Sequence, residues 1–334
     1  METFPQIGVG IQYNGGLQPW FPFDELAVDA FEIFLDSLAG PIDSPYVAYP
    51  GALDSIEPLR ARGAILIAHS NFGGEFGFDR LEETVAVRRH IPLTHMLKSP
   101  WVSDHCFYCD DSRADMWSSP LQLSRAELAR LAPRARELQR LYGVPLCHEN
   151  AVYYLPVPGS DMQEAEFLSA LVDAAGTYLH LDLHNVYANS RNLPDYHCDQ
   201  FLAEIPLDRV VEIHIAGGSE LGGFYHDWHD NAVPEPVWEM LEQVLSATRI
   251  GAVVLEFQGR SHDAETRVLS AERDIETIYA DVDRAIRMWE RAYGRDSRAL
   301  VRASAGSPVA AAEGVRAAID GNGALVREAD ALPR

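Results

Sequence analysis

Seven side chains able to ligate a metal stand at near-regular intervals along this chain, each near the end of a short apolar run. They are Glu32 in AFEIF, His69 in AILIAH, His105 in WVSDH, Glu149 in PLCHE, Asp182 in YLHLD, His214 in VVEIH and Glu256 in AVVLE. Successive separations are 37, 36, 44, 33, 32 and 42 residues, about the length of one strand-helix-strand repeat. The segment FYHDWHD (224–230) adds Asp227 and His229, whose i, i+2 spacing sets both side chains on one side of an extended segment. Imidazoles mixed with carboxylates suit Fe, Mn or Zn, and carboxylates that can bridge favour more than one ion. No cysteine belongs to the set, which weighs against structural zinc, and the ring is richer in acids than the three protein ligands of one catalytic zinc. Two or three metals are therefore expected. A lone His at a strand end is ordinarily a hydrogen-bonded structural residue, and a lone acid there is ordinarily a helix cap. Five successive strands ending His, His, Glu, Asp, His, and a sixth ending Glu, are not explained by capping.

Residues so spaced converge only if the strands that carry them share one rim. Strands are expected at 7–11, 28–34, 64–69, 100–105, 144–149, 177–183, 209–215 and 252–257, where short apolar runs alternate with helical patterns. Helices are expected at 124–143, 162–176, 234–248 and 269–294. Ser124 with Glu127 resembles a capping box, and Gly143 is a helix stop. Eight strands interleaved with helices predict an α/β fold, a (βα)8 TIM barrel with its active site at the C-terminal rim. No GxGxxG follows the first strand, which argues against a dinucleotide-binding Rossmann domain.

Composition sets the outer bounds. The chain has 334 residues, 47% hydrophobic and 23% charged, ordinary values for a globular protein. Length alone suggests two domains, but α/β barrels of this size are single units. One barrel domain is expected over 1–296. Residues 297–334 are rich in Ala, Gly and Arg, lack Phe, Trp and Tyr, and are expected to form a mobile tail with a short helix around 314–320. The net charge of −23 argues against a nucleic-acid partner. No signal peptide or membrane-length apolar run is seen, so no membrane association and a cytoplasmic location are expected. Four cysteines, Cys106, Cys109, Cys147 and Cys198, are too few for a disulfide framework. The CFYC pair lacks the second CxxC of a zinc ribbon and reads as free thiols in a loop.

The segments HEN (148–150), DLHNVYAN (182–189), EIHIAGG (212–218) and DWHDNAVPEPVW (227–238) resemble the signature motifs of the DUF692 family, multinuclear non-heme iron-dependent oxidases. The resemblance runs from the first strand to about residue 290. It implies two or three irons of mixed Fe(II)/Fe(III) valence, with O2 as co-substrate. It also implies, as substrate, a Cys, Asp or Asn of a ribosomally made precursor peptide, delivered by a partner protein that binds the leader. Carried over to this chain, it implies His69, His105, Glu149, Asp182, His214, Asp227, His229 and Glu256 as metal ligands. Glu149, Asp182, His184 and Asn185 are implied at the reacting centre, with Asn150 beside them. Glu32 matches a family acid on the second strand.

Three departures stand out. The family His after the first strand is missing from QYNGGLQPW, where Gln12 or Asn14 takes its place. His184 stands where Asn is common, and the glycine-rich stretch after His69 reads SNFGGEFGF. Tyr187, Tyr225 and Trp228 flank the motifs and are candidates to line a peptide groove. The competing readings are a metal-dependent sugar isomerase or aldolase, a hydrolase resembling endonuclease IV, and a barrel retained only as a scaffold.

Overall fold

The computed structural model describes residues 4–13, 23–71, 74–109, 119–259 and 264–300. Eight parallel strands close into a barrel in chain order: Gly8–Tyr13, Ala30–Phe34, Ile65–Ser70, Val102–His105, Leu146–Glu149, Tyr178–Asp182, Val210–Ile215 and Ala252–Leu255. Helices lie between the later strands, so the protein is a TIM barrel as the sequence predicts. Each strand falls within two residues of its expected position because a strand buried on both faces must be a short continuous apolar run.

Register decides which side chains meet. Gln12 pairs with Glu32, His105 with Glu149, and Asp182 with His214 across neighbouring strands. Paired residues on adjacent parallel strands project to the same face. The first, second, fourth, fifth, sixth and seventh strands therefore turn polar residues inward near their C-terminal ends. The pairing of the sixth strand with the seventh shifts register between Leu179 and His180.

The helices obey the local signals. Ser124 caps the helix Arg125–Tyr142 by accepting from the Glu127 amide at 3.2 Å, and Gly143 ends it with φ 66°. Helices Glu164–Ala175 and Glu235–Ala247 present buried apolar stripes to the barrel. The helix Ala264–Tyr293 closes the ring. Among the described residues, no helix is long and apolar enough to cross a membrane.

The N-terminal end of the barrel is sealed by polar contacts. Buried Asp29 accepts from the Val9 amide at 3.0 Å, from Arg298 Nε at 2.8 Å and from the Leu300 amide at 3.0 Å. Gly8 is required beside it, because a Cβ there would fall 2.2 Å from Asp29 Oδ2. Residues 297–300, the first of the expected tail, thus run against the barrel floor. The rest of that tail, with the helix expected around 314–320, lies outside the described residues, as does Asn14.

Candidate metal centre

Ten polar side chains converge at the C-terminal mouth of the barrel. Glu149, at the end of the fifth strand, is the hub. Its Oε2 lies 3.2 Å from His105 Nε2 and 3.6 Å from His69 Nε2, and its Oε1 lies 3.3 Å from His214 Nδ1. His214 Nδ1 is also 3.0 Å from Glu256 Oε2. One O or N atom from each of Glu149, Asp182, His214 and Glu256 fits within a 4.8 Å set, as does one from each of His69, Glu149 and His180. All six of these side chains are buried.

The far atom of each imidazole fixes which nitrogen faces inward. His105 Nδ1 contacts the Ser70 carbonyl at 3.3 Å, so Nδ1 donates and Nε2 is left as a lone pair toward Glu149. His69 Nδ1 meets Ser103 Oγ at 2.8 Å. His214 Nε2 meets Glu32 Oε2 at 2.8 Å, which leaves Nδ1 toward Glu149 and Glu256. Outer partners of this kind orient metal-binding histidines and set their tautomers. Glu32 therefore stands behind His214 rather than in front of it.

Of the two first-strand candidates, Gln12 lies among the described residues and points into the ring. Its Nε2 donates to Glu32 Oε1 at 3.2 Å and to Glu256 Oε1. Each of those carboxylates offers its other oxygen to His214, so Gln12 closes a ring of contacts around that imidazole.

Asn150 and Asn185 brace the floor of the site around Asp182. Asn150 Nδ2 donates to the Asp182 carbonyl and its Oδ1 accepts from the Asp182 amide, both at 2.8 Å. Asn185 Nδ2 donates to the Asn150 carbonyl at 3.0 Å, and the Asn185 amide donates to Asp182 Oδ1 at 2.9 Å. Asp182 thereby uses one oxygen as a helix cap and keeps Oδ2 without a partner.

On the other side, Asp227 and His229 point the same way, as their spacing requires, with Asp227 Oδ1 2.6 Å from His229 Nε2. His184 Nδ1 lies 2.9 Å from the same oxygen, and His229 Nε2 lies 3.4 Å from Glu256 Oε2. The aromatic residues pack beside this edge: Trp228 stacks on His226, and Tyr187 meets Tyr225 edge to face.

Electrostatics carry the same message. Burial pushes the Glu149 carboxyl well above the usual range, with His214 opposing. Burial and the neighbouring Glu256 and Asp227 charges push Asp182 up to about 6. Burial and neighbouring imidazoles hold His69 well below its ordinary value, and the same causes hold His180 well below it. Burial pulls His214 down, but Glu256 and Glu32 outweigh it and hold the ring well above its usual value. His229, likewise disfavoured by burial, is driven up to about 10 by Asp227 and Glu256. So many buried carboxylates beside imidazoles demand a positive charge among them, which a cation held between them would supply.

Buried polar atoms are nearly always hydrogen-bonded. Here Glu149 Oε2, Asp182 Oδ2, His69 Nε2, both nitrogens of His180 and of His184, His214 Nδ1, Asp227 Oδ1 and His229 Nε2 are buried without a hydrogen bond. Several sit within 3.5 Å of one another yet lack hydrogen-bond direction, the relation expected of atoms that share a cation.

His180 was not singled out by the sequence. It lies two residues before Asp182 on the same strand, and the period of two would have revealed it. Its ring centroid is 3.8 Å from that of His214. None of the four cysteines is joined in a disulfide, and burial pushes the Cys106 thiol well up, away from thiolate chemistry.

Residues 72–278 match the family model described as RiPP precursor modification enzyme MbnB/TglH/ChrH. A UPF0276 protein of Streptomyces avermitilis is 32% identical over 217 residues, 62% of this chain and 44% of that protein. One from Neisseria meningitidis serogroup C is 38% identical over 141 residues, 42% of this chain and 50% of that protein. The match spans about half the length of such curated relatives. Among solved structures, D-psicose 3-epimerase in the presence of D-fructose aligns over 86% of this chain and 100% of its own, with 15% identity and a TM-score of 0.53. An L-ribulose 3-epimerase aligns over 87% and 99%, with 14% identity and a TM-score of 0.52. At such identities the likeness is one of fold.

Proposed function

Since this chain belongs to the MbnB/TglH/ChrH family of RiPP precursor modification enzymes, we propose that it is a multinuclear non-heme iron-dependent oxidase. It uses O2 to modify a Cys, Asp or Asn residue of a ribosomally made precursor peptide, with a partner protein that binds the leader segment. The observation that carries the reading is the buried Glu149 carboxylate. Its Oε2 has no hydrogen bond, and three imidazoles surround the group with their inward nitrogens. Such a group is costly in an apolar interior unless a cation joins its neighbours.

The donor set fits iron: imidazole nitrogens and carboxylate oxygens with no thiolate. His69, His105 and Glu149, with His180 beside them, would hold one ion. Glu149, Asp182, His214 and Glu256 would hold a second, which makes Glu149 the bridge. Asp227 and His229 complete the ligand set at the outer edge. The irons supply Lewis acidity and redox chemistry with O2.

The protein's own part is positioning. Ser103, the Ser70 carbonyl and Glu32 fix the rings of His69, His105 and His214. The Asn150–Asp182–Asn185 hydrogen bonds tie the end of the fifth strand to the end of the sixth. The apolar barrel wall keeps bulk water from the carboxylates, which strengthens their hold on a cation. Beside the loop that follows Glu149 runs a groove of about 530 Å³ lined by Tyr153, Leu155, Pro156, Met162, Leu193 and Tyr196, a size suited to side chains of an extended peptide.

Elemental analysis of protein purified without oxygen, with a Mössbauer spectrum of the same sample, tests the reading. Two or more irons per chain, lost in Glu149→Ala, support it. Stoichiometric manganese or zinc in an iron-replete culture would instead favour the isomerase or hydrolase chemistry of other metal barrels.

A further inference from the structure

We infer that the groove beside the loop after Glu149 is a specificity pocket for a basic side chain, a Lys or Arg of the peptide segment that carries the residue to be modified. The inference rests on the peptide-modifying reading above and deepens it by naming the chemistry that the groove selects. The residues concerned lie outside the metal centre.

Three features of the groove agree. The first is charge. Asp161, Glu164, Glu166 and Asp195 line it, and no Lys, Arg or His stands among the described residues that do. Asp161, Glu166 and Asp195 are exposed, whereas Glu164 is buried. Arg125, outside the lining, reaches Glu166 Oε1 at 3.3 Å and so offsets one of the four charges, while its backbone amide donates to Asp161 Oδ1 at 3.0 Å. The second is unmet hydrogen bonding. Tyr153 is 4% exposed, and its buried hydroxyl has no hydrogen-bond partner of good geometry, an unusual condition for a buried polar atom. Glu164 accepts from the Ala151 amide at 3.1 Å and from the Tyr196 hydroxyl at 2.8 Å, and a carboxylate has room for further donors. Guanidinium and ammonium groups carry donors alone, which suits a pocket built of acceptors. The third is shape. Within the volume of about 530 Å³, Leu155, Pro156, Met162 and Leu193 supply apolar wall between the acids. Lys and Arg lay their methylene stems along such a surface and carry the charged head beyond it.

The pocket is fastened to the segment that begins at Glu149. Besides the Ala151 amide held by Glu164, the Tyr153 amide donates to Asn189 Oδ1 at 2.6 Å and Asn189 Nδ2 donates to the Ala151 carbonyl at 2.8 Å. A cationic head beside Glu164 would therefore fix the register of the peptide against the strand that supplies the bridging carboxylate. The pocket's part in the reaction is positioning.

The test is ligand-detected saturation-transfer NMR on the full chain purified without oxygen, with its iron content measured on the same sample. The probes are the Nα-acetyl methylamides of arginine, lysine, citrulline and norleucine, titrated at physiological salt. Burial raises Glu164 to about 7, so the titrations are run at about pH 8, where that carboxyl is charged. The arginine and lysine probes should bind at least about tenfold more tightly than the citrulline and norleucine probes, the worth of hydrogen bonds between charged groups. Glu164→Gln, which keeps an acceptor oxygen for the Ala151 amide, should abolish the preference. The double variant Asp161→Asn with Asp195→Asn, at two exposed positions, should weaken it by about threefold. Equal affinity of the arginine and citrulline probes would overturn the pocket, as would no saturable binding of any probe or a preference that survives both variants. A chain with two irons and no preference for cations loses the pocket alone. A preference abolished by Glu164→Gln in a chain that takes up no iron keeps the pocket and removes the oxidase reading.

Discussion

Glu32 Oε2 and His214 Nε2 lie 2.8 Å apart, although 182 residues separate them in the chain. The pair joins the second and seventh strands across the barrel interior, and it decides which nitrogen of His214 can face a metal. Glu32→Gln can present its amide nitrogen or its oxygen to Nε2, so the tautomer is no longer enforced. Metal affinity at the Glu149–Asp182–His214–Glu256 position should fall about 10- to 100-fold, the usual cost of losing an outer partner of a metal-binding histidine. Competition with a chromophoric chelator measures it. Unchanged affinity would show that Glu32 merely fills space.

Glu149 should be the least replaceable residue of the centre. It approaches His69, His105 and His214 with its two oxygens, so its removal strips a ligand from two neighbouring positions at once. Glu149→Ala should lose more than one metal equivalent, whereas Asp182→Ala should lose about one. Comparing metal per chain in the two variants, purified side by side, checks the bridge directly. Equal single losses would mean that Glu149 serves one ion.

Gln12 gives the same ring of contacts a second handle. Its amide holds Glu32 and Glu256 together behind His214, and Gln12→Leu should release both carboxylates. The expected outcome is a native melting profile for the metal-free protein with metal affinity lowered about tenfold. Gln12→Glu would place a third carboxylate there and should lower affinity less, because the added negative charge favours the cation.

Much of this could be read from the sequence, and the limits have a physical cause. The eight strands were legible because strands buried on both faces leave continuous apolar runs, and their terminal ligands fell where the runs stop. The pair Asp227 and His229 was legible from its alternation. His180 was hidden because it stands inside the apolar run YLHLD, two positions before its end. The contact of Gln12 with Glu256 depends on barrel closure, which pairs the first strand with the eighth, and no local pattern encodes it. Glu164 was also invisible: it sits on the helix Glu164–Ala175 and accepts from the Ala151 amide at 3.1 Å and from the Tyr196 hydroxyl at 2.8 Å.

The barrel floor yields a stability prediction independent of the metal. Arg298→Met leaves Asp29 buried without its guanidinium partner, and breaking a buried pair in this way costs about 3–5 kcal/mol. Ending the chain after residue 296 removes the same partner together with the Leu300 amide and should cost at least as much. Thermal melts of both variants read the loss, and metal per folded chain should stay as in the native protein. A melting temperature within a degree of native would show that residues 298–300 contribute nothing.

Glu164 sets a pH dependence of stability away from the metal ligands. Burial raises its carboxyl from 4.5 to about 7, opposed by hydrogen bonds from Tyr196 and the Ala151 amide. The folded state therefore holds a proton that the unfolded chain releases earlier. The corresponding stability is fully present below about pH 4.5, declines through the interval up to pH 7, and is gone above it. That difference corresponds to about 3 kcal/mol. Glu164→Gln carries no such proton, so its melting temperature should gain on that of the native protein as pH rises from 5 to 8. Parallel curves over that interval would mean that the Glu164 carboxylate is charged in the folded state throughout.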